Sequence, residues 1–181
     1  MRRRALKLFL MLPLLLTLGG CEAARWVIQR ASSYQAIKVT TEGMSPTLKP
    51  GDKAIVEVGY YHQHPVERFD IVTFKLSPAH FSDVMRGMNE NDLYVQRVIG
   101  LGGETVEIRD SRIFINGRVL EEPFATVPFD KRELFGPVKA PPDEVFLLGD
   151  NRMNSLDGRY WARPTLATGN IHGKVTQIFP Q

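Results

Sequence analysis

The sequence predicts an antiparallel all-β domain with little helix, spanning residues 36–181. Two observations carry this expectation. Short runs rich in Val, Ile, Phe and Thr recur along the stretch, with turn residues between them. Asn116-Gly117 joins two such runs, and Asn-Gly is the strongest short hairpin signal because both residues tolerate the positive φ of a type I′ turn.

The elements follow in order. Residues 37–41 alternate in polarity. Residues 54–58 form a second run after the turn Pro50-Gly51-Asp52. Residues 71–74 are a short apolar run, and 93–99 a longer one. Residues 105–109, 112–115 and 118–120 read as a three-stranded meander, divided by Asp110-Ser111 and Asn116-Gly117. Residues 144–148 and 174–179 supply the last strands. Two connections stand out. Residues 76–93 hold Pro78, His80, Met85, Met88 and the polar run 89–92, and read as a surface insertion or a partner-contacting loop. Residues 121–143 carry five prolines and read as an irregular connection.

The first 21 residues stand apart. Arg2, Arg3, Arg4 and Lys7 form a basic start, residues 8–18 an apolar run, and Gly19-Gly20-Cys21 the end. A spanning helix needs roughly 20 apolar residues, so the run fits an export signal better than a membrane span. Its ending resembles a bacterial lipobox, which implies lipidation at Cys21; the alternative is a short membrane anchor with an incidental Cys. Either way the folded domain is expected on the extracytoplasmic, periplasmic side of a bacterial envelope. Residues 22–35 read as a linker or short helix.

The formal charge of +3 is set by this start. Without its four basic residues the chain holds 19 Lys and Arg against 20 Asp and Glu. A nucleic-acid surface is therefore not expected. One Cys excludes an internal disulfide. The four His residues, His62, His64, His80 and His172, lack companions with metal-ligand spacing, so neither metal nor cofactor is expected, and solvated loop histidines are.

Four segments carry a resemblance. They are Gly43-Met44-Ser45-Pro46-Thr47-Leu48, then Arg68-Phe69-Asp70-Ile71-Val72-Thr73-Phe74. Tyr94-Val95-Gln96-Arg97-Val98-Ile99-Gly100-Leu101-Gly102-Gly103 follows, and Gly149-Asp150-Asn151-Arg152-Met153-Asn154-Ser155-Leu156-Asp157-Gly158-Arg159 comes last. In this order they resemble the motifs of the bacterial signal peptidase I family, serine–lysine proteases that remove secretory signal peptides. The resemblance implies coiled, barrel-like antiparallel sheets. It implies a peptide cleft involving Met44, Pro46, Phe69, Ile71 and Tyr94. It makes Gly43 the position of the nucleophilic Ser and Gln96 that of the general-base Lys. Ser155 matches a Ser that bonds the Lys amine, and Asp157 and Arg159 match a bracing pair. Gly102 replaces a family Pro.

Peptide hydrolysis of this kind needs a hydroxyl and an amine that deprotonates it. Gly43 offers no side chain, and the Gln96 amide takes up no proton near neutral pH. Ser45 is a substitute nucleophile only if remodelled: in an extended segment it lies about 6–7 Å from the Gly43 position. Lys49 and Lys75 are the nearby amines. Ser155, Asp157 and Arg159 are expected to hold Gln96 by its amide, or to be kept for folding. The reading is a catalytically degenerate homologue that binds an extended peptide or exported partner. The alternatives are an active serine-type signal peptidase with a displaced dyad, and a structural envelope lipoprotein.

Overall fold

Alternation of apolar and polar residues places one face of each strand in the core, and the strands fall largely where that pattern puts them. The computed structural model describes residues 33–181 apart from 125. Cys21, the export signal and most of the 22–35 linker lie outside the described residues. Eleven strands are present among the described residues: β1 (Tyr34–Lys38), β2 (Lys53–Val58), β3 (Ile71–Phe74), β4 (Tyr94–Gly100), β5 (Thr105–Arg109) and β6 (Arg112–Ile115) come first. β7 (Arg118–Val119), β8 (Phe135–Lys139), β9 (Glu144–Leu148), β10 (Leu166–Ala167) and β11 (Ile171–Phe179) complete them. Three short 3-10 turns are the only helix described.

The all-β expectation holds, and the barrel-like part of it is corrected. The strands form two open sheets, one ordered β1-β2-β11-β3-β4-β9-β10 and one ordered β7-β6-β5-β8. A barrel requires the end strands to pair, and β1 and β10 do not. The meander β5-β6-β7 forms as expected, with Asn116 and Gly117 both at positive φ. The 121–143 stretch is not wholly irregular: β8 runs through it, with Gly136 and Pro137, and pairs with β5. Gly136 is required there, since a Cβ would meet the backbone of Val106 and Val138.

Three apolar clusters support the sheets within the unit 35–181. Val72, Phe74, Val98, Leu147, Trp161 and Leu166 make one. Ile99, Val106, Ile108, Ile113, Phe146 and Leu148 make a second, between the two sheets. Val39, Met44, Leu48, Ala54 and Val56 make the third, beneath the turn that carries Gly43.

The 76–93 loop is more than a surface insertion. His80 is 3% exposed, not solvated. Its Nε2 lies 3.1 Å from the Thr165 carbonyl and its Nδ1 2.9 Å from the Ser77 hydroxyl, and it meets Trp161 edge-on. Met85 is buried in the first cluster. Trp161 packs on Phe74 and His80.

Candidate functional site

Residues 43–48 form a tight turn rather than an extended segment. The Ser45 N–H donates to the Glu42 carbonyl and the Leu48 N–H to the Met44 carbonyl. Leu48 and Met44 drop into the third cluster, which pins the turn and leaves Gly43 at its rim. The turn docks on the last motif. The Asn151 N–H donates to the Gly43 carbonyl at 3.1 Å, and the Asn151 amide donates to the Glu42 carbonyl at 3.2 Å. Thr47 donates to Asp150, which Arg97 holds through two bonds of 2.8 and 2.6 Å.

Gly149 lets these backbones meet. A Cβ there would strike the Ser155 hydroxyl and the Gly43 carbonyl. At Gly43 the same construction finds ordinary contacts only, the nearest being Ser155 Oγ at 3.6 Å, and no positive φ. A side chain therefore fits at residue 43 and would stand beside Ser155. Gly102 is constrained differently: a Cβ there would run into the Pro142 carbonyl, so the turn gains close packing where the family pattern has a rigid ring.

Gln96 sits in β4 opposite Val72 and is 6% exposed. Its Nε2 donates to the Leu156 carbonyl at 3.0 Å. Its Oε1 is buried and meets no donor among the described residues. An unpaired buried acceptor costs about 1–3 kcal/mol. The expectation that Ser155, Asp157 and Arg159 hold this amide is thus corrected, because a backbone carbonyl does it. Asp157 and Arg159 hold each other instead, at 2.8 and 2.9 Å, and Asp157 also accepts from the Gly149 N–H. Burial pulls the Arg159 pKa down, but the Asp157 hydrogen bond and charge outweigh it, and the net direction is up. Arg152 donates to the Gly149 carbonyl and pairs with Glu122.

Gly43, Gln96 and Ser155 open into one groove of about 860 Å³. Residues 35–39, largely the edge strand β1, form one wall, and residues 93–96 form the other. Gly43, with Met44 and Leu48 beneath it, and Gln96 at the foot of the second wall make its floor, residues 154–156 line it beside Gly43, and Gly87, Met88 and Asp92 extend a wall from the 76–93 loop. β9 meets β4 only from Arg97 onward, so residues 94–96 have a strand on one side and groove on the other. Tyr94 is tied to the loop through Asn89, donating to its carbonyl at 2.8 Å.

Of the residues expected at the cleft, Met44 and Tyr94 line this groove. Pro46, Phe69 and Ile71 do not. Pro46 is exposed on the turn beyond Gly43, Phe69 packs on Phe124, and Ile71 packs against the third cluster. Ser45 is also outside, its hydroxyl donating to Glu42 at 2.6 Å. Lys49 is exposed and Lys75 lines a different cavity. Lys38 is the lysine on the groove wall, and it is solvent-exposed, outside the apolar cover that a lysine base requires. No three His, Cys, Asp or Glu among the described residues gather to hold a metal ion. His62 stands in a 3-10 turn and His64 stacks on Tyr60, so no strand aligns them.

A family model, that of signal peptidase, peptidase S26, matches residues 5–179. The chain belongs to the signal peptidase I family. It is 40% identical over 147 residues to a signal peptidase I of Leptolyngbya laminosa, covering 80% of this chain and 68% of that one. It is 35% identical over 127 residues to a probable signal peptidase I-2 of a Synechocystis strain, covering 70% and 55%. It is 34% identical over 149 residues to thylakoidal processing peptidase 1 of Arabidopsis thaliana, covering 82% and 42%. The matches thus span little more than half, or less, of the last two relatives' own lengths. A crystal structure of a signal peptidase I from Enterococcus faecalis shares 30% identity with a TM-score of 0.45, covering 62% of this chain and 98% of that one. Among the described residues no helix of this signal peptidase I family member is long and apolar enough to cross a membrane.

Proposed function

We propose that this chain is a catalytically silent signal peptidase homologue that binds an extended peptide of an exported protein. The observation that carries the reading is the pairing of Gly43 with Gln96 at the head of an open groove. Neither residue can attack a carbonyl or take a proton from a hydroxyl. The groove has what an extended peptide uses: a strand edge at residues 94–96 and an edge strand, β1, on the facing wall. Added strands gain main-chain hydrogen bonds there, and apolar walls receive alternate side chains. The N-terminal segment would hold this domain at the extracytoplasmic face of a membrane, by Cys21 lipidation or by a short anchor.

A second reading is an active signal peptidase, favoured by the names of the relatives. It requires a new dyad, and Ser45 with its Glu42 bond does not face the groove.

Full-length protein in detergent, assayed for cleavage of a signal-peptide substrate beside the Gly43→Ser/Gln96→Lys double variant, separates the two. The silent reading expects no turnover by the natural chain. It expects turnover by the double variant, because a side chain fits at residue 43 beside Ser155. Restoring such a pair is worth up to ~10⁶ in rate where the surrounding site is intact. Cleavage by the natural chain overturns the proposal.

A further inference from the structure

The Gln96 carboxamide is oriented by its neighbour. Nε2 donates to the Leu156 carbonyl at 3.0 Å, which fixes the amide so that Oε1 faces away from that carbonyl. Rotating the amide by half a turn would set two acceptors against each other. Oε1 is thereby left as a desolvated acceptor with no donor among the described residues, on a side chain that lines the groove. A fold gains nothing from such an atom, since an unmet buried acceptor lowers stability. An apolar side chain of similar volume would remove that penalty and give up the bond to the Leu156 carbonyl.

We infer that Gln96 reads the main chain of the groove's ligand, its Oε1 accepting one N–H of an extended polypeptide bound intact. Three features fit this role together. Gln96 stands at the end of the unpaired edge 94–96, where an added strand would run past it. Gly43 adds no side chain to the groove that Gln96 lines, so residue 43 brings no hydroxyl to compete for the acceptor. The amide itself is inert, so a peptide bond held there is not attacked. A residue that in a peptidase would move protons here supplies direction and register, because one acceptor on the wall satisfies one N–H of the ligand and no other. The inference rests on the peptide-binding reading above and names the atom that does the recognising.

The test pairs two opposing readouts on full-length protein in detergent, with a short fluorescein-labelled peptide copying the end of a bacterial export signal as probe. Gln96→Leu, which gives up the Leu156 bond together with the unmet acceptor, is expected to melt close to the natural chain and to bind the probe ~10-fold more weakly. A series of probes, each N-methylated at one amide, is then titrated on both proteins. At one position N-methylation should weaken binding to the natural chain about 10-fold and have little further effect on Gln96→Leu, the signature of a direct pair in a double-mutant cycle. Gln96→Leu binding as tightly as the natural chain overturns the inference. So does equal loss at every N-methyl position in both proteins, which would leave Gln96 a packing residue in a groove that still binds peptide. Absence of binding by any probe overturns the peptide-binding reading itself, and this inference with it.

Discussion

The floor of the groove and the loop that braces it are built on opposite rules. At the floor, Gly43 contributes no side chain and Gln96 leaves a buried oxygen unmet. Around it, in residues 149–159, each of these charges has an opposite partner, Asp150 with Arg97, Arg152 with Glu122, Asp157 with Arg159, although Asn151 Oδ1 and Arg159 Nη1 are also buried without a hydrogen bond among the described residues. The bracing loop keeps its partners because each is desolvated, and losing one would strand the other. The floor is free of that constraint, since neither Gly43 nor Gln96 carries a charge that burial must balance. A site of this design can lose its chemistry without losing its fold. Retention of the brace alone is therefore no argument for activity.

The sharpest way to break this comparison is to cut the brace. Asp157→Ala removes three bonds from Arg159, two from its guanidinium and one from its backbone N–H, and the acceptor for the Gly149 N–H. Arg159 would remain buried with Glu133, at 3.4 Å, as its remaining carboxylate among the described residues, and the Ser155 carbonyl at 3.5 Å. Breaking a buried pair from one side costs about 3–5 kcal/mol, which lowers the melting temperature by roughly 10 °C for a domain of this size. Thermal melts followed by circular dichroism measure it. A melt unchanged by the substitution would mean the brace is dispensable, and the contrast with the floor would collapse.

Two glycines sharpen the same contrast at smaller amplitude. Gly149→Ala drives a methyl into Ser155 and the Gly43 carbonyl, an overpacking cost of about 1–3 kcal/mol. Gly43→Ala meets nothing closer than 3.6 Å and should change stability by less than about 0.5 kcal/mol. Urea unfolding of the two variants side by side gives the difference directly. Equal losses would show that the floor is packed as tightly as the brace.

How much of this was legible in the sequence follows from where each signal resides. Most strands were, because alternation and Asn116-Gly117 are local, though β1 begins three residues before the run expected at 37–41 and the two-residue β10 was not foreseen. β8 was not, since Pro137 marks a break in any local reading and only its pairing with β5 makes it a strand. The identity of the floor residues was legible, because Gly43 and Gln96 stand inside long motifs. The partner of Gln96 was not: the Leu156 carbonyl lies 60 residues away, and any residue type would offer the same carbonyl. The wall built by residues 87–92 was hidden for a related reason. Its polar run reads as solvated loop, while its anchors, His80 and Met85, are buried only through tertiary contacts.

The one pH-dependent effect lies at the edge of the same framework, at the turn where Gly102 packs on Pro142. Glu104 accepts from the Leu101 N–H at 2.8 Å and from Arg68 at 2.6 Å. Burial raises its pKa, but the Arg68 hydrogen bond and charge and the Leu101 N–H outweigh it, and the net direction is down. A carboxylate whose folded pKa is depressed stabilises the fold fully above its unfolded pKa, about 4.3, and loses that contribution as pH falls through the folded value. Both side chains are partly exposed, so the contribution is about 1 kcal/mol. Glu104→Gln should therefore melt a few degrees, ~2–4 °C, below the natural chain at neutral pH. The gap should close as the pH is lowered past the carboxylate range. A gap that stayed constant with pH would mean that Glu104 holds the turn by shape rather than by charge, and that the turn at Gly102, like the groove floor, is set by packing alone.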